Sequence, residues 1–470
     1  MSRASLAQQL YARSPVFAQD LAVSLYGLNL RWREYGREFE RLLGEFEAQA
    51  RFSPSEMEVW QGERLQRMVR HAFEHVPWYQ ETFRAAGVTP DSIRSLGDIS
   101  KLPITPARVL AEDPNSLVAL SASRADRIRG HTSGTTGQSK TILYDRNVCR
   151  VKNVVEWRMR RSAGVDVGDP VANLVGKMVV PISQRKPPFW RRNRALNQLF
   201  LSVFHFAPAW YQDYISALER FGAVGIDGYP STVSMLAEAL LLDGRRLSMR
   251  AAFVSSEVLV PWQRTAIEQG LDCAVFDYYG MAERALFATE CEHHRGLHVN
   301  SDFGLLELLD ENDEPVPPGV SGRVVITGWH NHTMPFIRFQ TSDWATWATE
   351  PCPCGRPFPL LRSVDGREED QVATPDGRFL DVSFAYGPFT AVQNKLVESQ
   401  IYQEASGRIA LRVVPKPGFT AADAEKLVRG IQAFVGDSAV VEVETWQEIP
   451  RTTSGKFRWL VSEVPRRLQR

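Results

Sequence analysis

Residues 221–276 read FGAVGIDGYPSTVSMLAEALLLDGRRLSMRAAFVSSEVLVPWQRTAIEQGLDCAVF, and short apolar runs alternate there with longer amphipathic ones. Runs 222–226, 251–254 and 274–276 have the length and composition of buried strands, and 231–242 and 262–269 repeat their apolar residues at helical spacing. Strand, helix, strand at this interval implies a parallel sheet with helices over its faces. The same texture runs from about residue 125 to 330. Ligands of such sheets collect at the carboxyl ends of the strands, so the polar residues just after each apolar run carry most interest.

On either side the pattern changes. The first hundred residues read as helical: Ser53-Pro54-Ser55-Glu56 forms a capping box with proline at the first helical position. Leu65, Met68, Val69, Ala72, Phe73 and Val76 then recur at helical spacing and predict one buried face. Residues 21–46, with Leu28, Leu30, Trp32 and Tyr35 among mixed charges, predict a helix docked on the main body, with a membrane-surface helix as the alternative. After residue 366 the pattern resets, with strands expected at 379–382, 408–414 and 439–443 and a helix at 421–435. The expectation is an α/β protein in three parts. Residues 1–124 form a helical N-terminal extension, 125–366 a large domain with parallel-rich sheets and covering helices, and 367–470 a small α+β domain.

Bulk properties narrow the function. Lys plus Arg equals Asp plus Glu at 55 each, so no net positive field draws the chain to nucleic acid. No run approaches the roughly 18 apolar residues of a membrane span, and the N-terminal MSRASLAQQLYARSP has no apolar core of a signal peptide. Five cysteines in 470 residues make no disulfide framework, which fits the reducing cytoplasm.

The sharpest chemical signal is His131-Thr-Ser-Gly-Thr-Thr-Gly-Gln-Ser-Lys140, set between two strand-like segments. Its glycines let the backbone wrap an anion, and its hydroxyls and lysine supply donors and charge. It lacks the Gly-Lys-Ser/Thr of a Walker loop, and alone it is compatible with an ordinary flexible loop. With Lys140, the segment Thr132, Ser133, Gly134, Thr135, Thr136 and Gly137 resembles the phosphate loop of the adenylate-forming superfamily: acyl-CoA synthetases, peptide-synthetase adenylation domains and luciferases. Four further blocks resemble that superfamily in the right order: Tyr279-Gly-Met-Ala-Glu283, Phe339-Gln-Thr-Ser-Asp343, Gly366-Arg-Glu-Glu-Asp370 and Pro450-Arg-Thr-Thr-Ser-Gly-Lys456. The segments Pro187-Pro-Phe-Trp-Arg-Arg-Asn193, Asn197-Gln-Leu-Phe200 and Gly228-Tyr-Pro-Ser231 are similar to the phenylacetate–CoA ligase-like branch, in particular to ligases encoded with capsular-polysaccharide genes.

The resemblance implies activation of a small-molecule carboxylic acid with ATP, then transfer to a thiol, coenzyme A first among acceptors. An amine or a sugar hydroxyl stays open, as does a catalytically degenerate nucleotide-binding scaffold. It implies that the 132–137 loop and Lys140 hold the β- and γ-phosphates, with Tyr279 and Gly280 at the adenine and Asp343 and Arg367 at the ribose and hinge. Glu283 is assigned to Mg²⁺, Ser256 and Glu257 to the adenine pocket, and Lys456 to the carboxylate and α-phosphate, where charge grows in the transition state. His205 occupies the place of a residue beside the carboxylate, a core histidine being the alternative. Rotation of a mobile C-terminal domain about Glu369 would withdraw Lys456 after adenylation. Ala282 stands where the family has Thr or Ser. A lost hydrogen bond to a charged group costs roughly 1.5–3 kcal/mol, about one to two decades in rate.

Cys291, His298, Cys352 and Cys354 form a separate candidate. Soft thiolates with one imidazole suit a tetrahedral structural Zn²⁺, with His293 or His294 as substitutes for His298. Cys149 and Cys273 read as small buried residues.

Overall fold

The computed structural model describes residues 6–125, 127–131, 140–367, 371–380, 382–452 and 455–464. The three runs in 221–276 form strands Gly225–Gly228, Ala251–Ser255 and Ala274–Gly280, adjacent and parallel, with Ala251–Ser255 buried along its whole length. Strands Val171–Leu174 and Gln198–Leu201 extend this parallel core on one side. Helices Pro230–Leu242 and Pro261–Leu271 connect the strands, each opening on a proline whose missing N–H matters little in a first turn. They pack closely: a Cβ on Gly270 would lie 2.7 Å from the Ala237 carbonyl oxygen.

Beyond Ala274–Gly280 the same sheet turns antiparallel through Phe287–Thr289, Leu297–Val299, Leu360–Arg367, Phe339–Trp347, Ser321–Gly328 and Gly304–Leu309. With the edge strand Trp190–Asn193, twelve strands among the described residues form one sheet. The expected parallel core is therefore present, joined to an antiparallel half that the local pattern did not reveal. The candidate phosphate loop connects the paired strands Ile128–His131 and Thr141–Tyr144, and its residues 132–139 lie outside the described residues.

The N-terminal capping box forms as read, with Ser53 accepting from the Glu56 N–H at the start of helix Pro54–His75. Leu65, Met68, Val69, Ala72 and Val76 are buried and share one core with Phe276 and Phe339 of the large sheet. Tyr79 anchors this contact: its hydroxyl accepts from the Ile337 N–H at 2.9 Å and donates to the Pro335 carbonyl at 3.2 Å. Thr105 bridges to the next residues, donating to the Arg338 carbonyl and accepting from the Gln340 N–H. The helical extension thus fixes the start of the strand that carries Asp343.

Segment 21–46 differs from expectation. It is two helices, Val16–Glu34 and Arg37–Gln49, parted by extended backbone at Tyr35 and Gly36. The first docks through a small face: a Cβ on Gly27 would meet Asn193 Oδ1 at 2.1 Å. Leu28 and Trp32 consequently point away, Trp32 remaining 83% exposed.

The C-terminal unit is a four-stranded sheet ordered Val440–Thr445, Arg408–Pro415, Leu396–Ala405, Leu460–Ser462. Helix Ala421–Val435 covers it, capped by Thr420 and Asp423 and buried through Leu427, Ile431 and Val435. The expected strand at 379–382 is shorter, Phe379–Leu380, and among the described residues pairs only with Val372–Ala373. No described helix is long and apolar enough to cross a membrane.

Candidate active site

The carboxyl ends of Ala251–Ser255 and Ala274–Gly280 open into a cavity of about 910 Å³, whose far wall is the C-terminal unit. Lys140, Ser256, Glu257, Tyr279, Gly280, Glu283, Asp343 and Lys456 all line it. Residues more than three hundred apart in sequence therefore face one space. Residues Thr132 to Gly137 and Glu369 lie outside the described residues, and Lys140 marks where the candidate phosphate loop rejoins the fold.

Local geometry explains how the residues are held. The Tyr279 hydroxyl donates to Asp343 Oδ2, tying the end of the last parallel strand to the antiparallel half. Arg367 pairs with Asp343 in strand register, so its backbone is beside the site. Ser256, at φ 71°, and Arg284, at φ 50°, adopt left-handed backbone that side-chain-bearing residues avoid. Such strain concentrates where a chain must present specific groups. The turn around Ala282 and Glu283 is braced on both sides. Tyr144 donates from its hydroxyl to the Ala282 carbonyl, while the Arg284 guanidinium lies 4.2 Å over the Tyr144 ring and donates to Cys149 Sγ at 2.8 Å.

Glu257 has a role the sequence did not indicate. Its Oε1 accepts from the Phe457 backbone N–H at 2.5 Å and its Oε2 from the Ser231 N–H at 3.1 Å. Phe457 follows Lys456, so this carboxylate clasps the C-terminal loop to the large domain. Burial pushes the Glu257 carboxyl above its ordinary value, opposed by those two N–H donors and by Arg451. The Lys456 loop is also closed on itself: the Lys456 N–H donates to Thr452 Oγ1 at 3.0 Å and the Thr452 N–H to the Lys456 carbonyl at 2.9 Å.

His205 does not line the cavity. Its ring stacks on Phe189 at 4.6 Å between centroids, and Nδ1 is 2.8 Å from Ser202 Oγ. Among the described residues Nε2 makes no hydrogen bond of ordinary geometry, although the backbone at residues 181–184 lies near it, and burial lowers its pKa. These contacts follow the core-histidine alternative. Lys152, Glu156, Asp277 and Glu290 also face the cavity, none of them singled out from sequence. Burial and the Glu290 carboxylate push Asp277 up to about 8, against the pull of Arg264.

Away from this cavity the four candidate metal ligands come together. The donor atoms of Cys291, His298, Cys352 and Cys354 all lie within 4.8 Å of one another. Cys291 Sγ is 3.5 Å from Cys352 Sγ, and Cys354 Sγ is 3.3 Å from His298 Nε2. Tetrahedral ligands about 2.0–2.3 Å from a shared ion stand roughly 3.5 Å apart, so the set has the required spacing. His298 donates from Nδ1 to the Phe358 carbonyl at 3.1 Å, leaving Nε2 facing the thiols. His294 is engaged instead with Glu290 at 2.9 Å, which removes it as a substitute.

The fold is that of the adenylate-forming ligases. Over 88% of this chain and 90% of the other, it superposes on 2-hydroxyisobutyryl-CoA ligase in the postadenylation state, in complex with R3-HIB-AMP, at TM-score 0.71 and 22% identity. Against that ligase in the thioesterification state the score is 0.56. Within this class the chain is a homologue of CapK and of the phenylacetate-coenzyme A ligases. It is 23% identical to protein CapK of Staphylococcus aureus over 97% of this chain and 99% of that one. It is 28% identical to the phenylacetate-coenzyme A ligase of Thermus thermophilus over 66% of this chain and 70% of that one. Residues 372–463 match the CapK C-terminal domain family.

Proposed function

We propose that this protein activates a carboxylic acid with ATP to an acyl-adenylate and transfers the acyl group to coenzyme A. The observation that carries this reading is the meeting of Lys140, Glu283, Asp343 and Lys456, from four distant segments, around one cavity. Homology to phenylacetate-coenzyme A ligases supports the acceptor.

A carboxylate approaching a polyphosphate is an anion meeting a polyanion, so catalysis rests on fixed positive charge and oriented donors. Lys456 neutralises the charge that grows between the carboxylate and the α-phosphate, while Lys140 and residues 132–137 hold the departing pyrophosphate. Asp343 takes the ribose hydroxyls, exchanging its Tyr279 partner for them, and Tyr279 presents its ring to the base. Glu283 suits Mg²⁺, which supplies further charge neutralisation on phosphate oxygens. With Lys456 facing the cavity, the chain stands in the arrangement for adenylation; rotation of residues 367–470 about Glu369 would expose the adenylate to the thiol. His205 is left out of this assignment. The thiol–imidazole cluster is assigned a structural Zn²⁺ that pins segment 291–298 to segment 352–354. Five thiols without a disulfide suit the cytoplasm.

The test is acid-dependent exchange of pyrophosphate into ATP across a broad acid panel. Lys456→Ala should reduce exchange by about a hundred- to a thousand-fold, the range seen on removing a transition-state donor, with ATP binding retained. Exchange that survives this substitution would refute the assignment.

A further inference from the structure

Helix Val16–Glu34 docks on the edge strand of the large sheet with one face and leaves another bare. The docked face is polar and small. Asp20 accepts from the Arg192 N–H at 2.9 Å, and Ser24 donates to the Arg192 carbonyl at 3.2 Å. Gly27 abuts Asn193, and Arg31 donates to the Ala195 carbonyl at 3.2 Å. These contacts occupy backbone groups along strand Trp190–Asn193, which would otherwise invite another strand.

The bare face is apolar along its length. Phe17, Leu21, Leu25, Leu28 and Trp32 are between 56% and 83% exposed. With 3.6 residues per turn they share an arc of about 80°. Their alternation of four- and three-residue steps is that of a helix–helix seam. Together they expose on the order of 700 Å², more than the roughly 300–600 Å² of the largest apolar patch on an ordinary monomer.

The order of residues along the stripe decides the occupant. It is a palindrome about Leu25, with aromatic residues at both ends, Phe17 and Trp32, and Leu21 and Leu28 inside them. An antiparallel copy related by a two-fold axis sets Phe17 against Trp32 and Leu21 against Leu28, with the two Leu25 side chains meeting on the axis. Such a contact closes on itself and leaves no surface for further growth. Over both copies it buries on the order of 1,400 Å², inside the roughly 1,200–2,000 Å² of a stable interface. A lipid surface fits less well. Interfacial helices carry lysines and arginines along their length for the headgroups, whereas the two cations of this helix, Arg31 and Arg33, sit together in its last turn.

We propose that the chain forms a two-fold homodimer by antiparallel pairing of helix Val16–Glu34 with the same helix of a second copy, centred on Leu25. This interface is independent of the acid-activating reading.

Sedimentation equilibrium of the full chain tests it. Standard interfaces have dissociation constants from about micromolar to picomolar, so at about 10 µM the wild type should run at twice the chain mass. Leu25→Glu sets two carboxylates against each other on the axis and should weaken the dimer by at least about a hundred-fold. The register is tested by a charge pair. Leu21→Lys/Leu28→Glu should dimerise at least about ten-fold more tightly than Leu21→Glu/Leu28→Glu, because the pairing sets position 21 against 28. Within one helix these positions are seven apart, too far to compensate each other. A monomeric wild type, a dimer untouched by Leu25→Glu, or equal affinities for the two double variants would each overturn the proposal. Monomer that co-sediments with phosphatidylglycerol vesicles, and ceases to do so in Leu25→Glu, would overturn it in favour of a lipid surface. All the substituted side chains are exposed, and thermal melting of each variant confirms that the fold is intact.

Discussion

Replacing Glu257 by alanine removes the carboxylate that joins the Lys456 loop to the large domain. Two bonds are lost, from the Phe457 N–H at 2.5 Å and the Ser231 N–H at 3.1 Å. Only the first crosses between the units, since Ser231 and Glu257 belong to the same domain. A hydrogen bond to a charged group contributes about 1.5–3 kcal/mol, so the closed arrangement should weaken by about 10- to 150-fold relative to the open one. A further polar cross-contact, Lys416 to Glu238 at 3.0 Å, is a partly exposed pair and contributes about 1 kcal/mol or less. Under the proposed function, pyrophosphate exchange needs Lys456 in the cavity and thioester formation needs it withdrawn. Exchange should therefore fall by about 10- to 100-fold, while conversion of supplied acyl-adenylate to thioester stays level or rises. Glu257→Gln keeps a neutral acceptor and should lose less. Because burial raises the Glu257 pKa, the closed arrangement favours the protonated carboxyl, so the clasp should weaken as pH rises through that pKa in the wild type. That limb of the exchange profile should be missing in Glu257→Gln. Equal losses in both half-reactions, or unchanged exchange, would refute the clasp.

Metal analysis of the purified protein should find about one zinc per chain, and Cys291→Ser should lower both zinc content and melting temperature; zinc-free wild-type protein of full stability would sink the assignment. Asp277, pushed up to about 8, stays protonated in the fold when the unfolded chain has already ionised. Stability should thus decline as pH rises from about 4 to about 8, by at most about 1.4 kcal/mol per unit, and thermal melting should find Asp277→Asn flatter across that window. Restoring a hydroxyl with Ala282→Thr should speed exchange by about ten-fold, the value of one hydrogen bond to the α-phosphate; a slower variant would show that the turn braced by Tyr144 and Arg284 has no room for it.

The sequence by itself determined the parallel core, the capping box at Ser53 and helix Ala421–Val435, because hydrophobic period and cap chemistry are local. Its ordered motifs also named most of the residues that meet at the cavity. It gave no sign of the antiparallel half beyond residue 280, whose strands pair out of chain order, Leu360–Arg367 lying between Leu297–Val299 and Phe339–Trp347. It read residues 21–46 as one docked helix; the segment does dock, but as two helices broken at Tyr35 and Gly36, the first seated through Gly27 against Asn193, which turns Trp32 outward. Nothing in the sequence singled out Lys152 or Glu156. Asp227, which anchors Arg160 beneath them, lies 67 residues from that arginine in the chain. The same holds for Glu257, which meets Phe457 across 200 residues. Local pattern carries the identity of chemical groups; which of them face one another, and how their charges balance, depends on contacts between segments far apart in the chain, which tertiary packing alone creates.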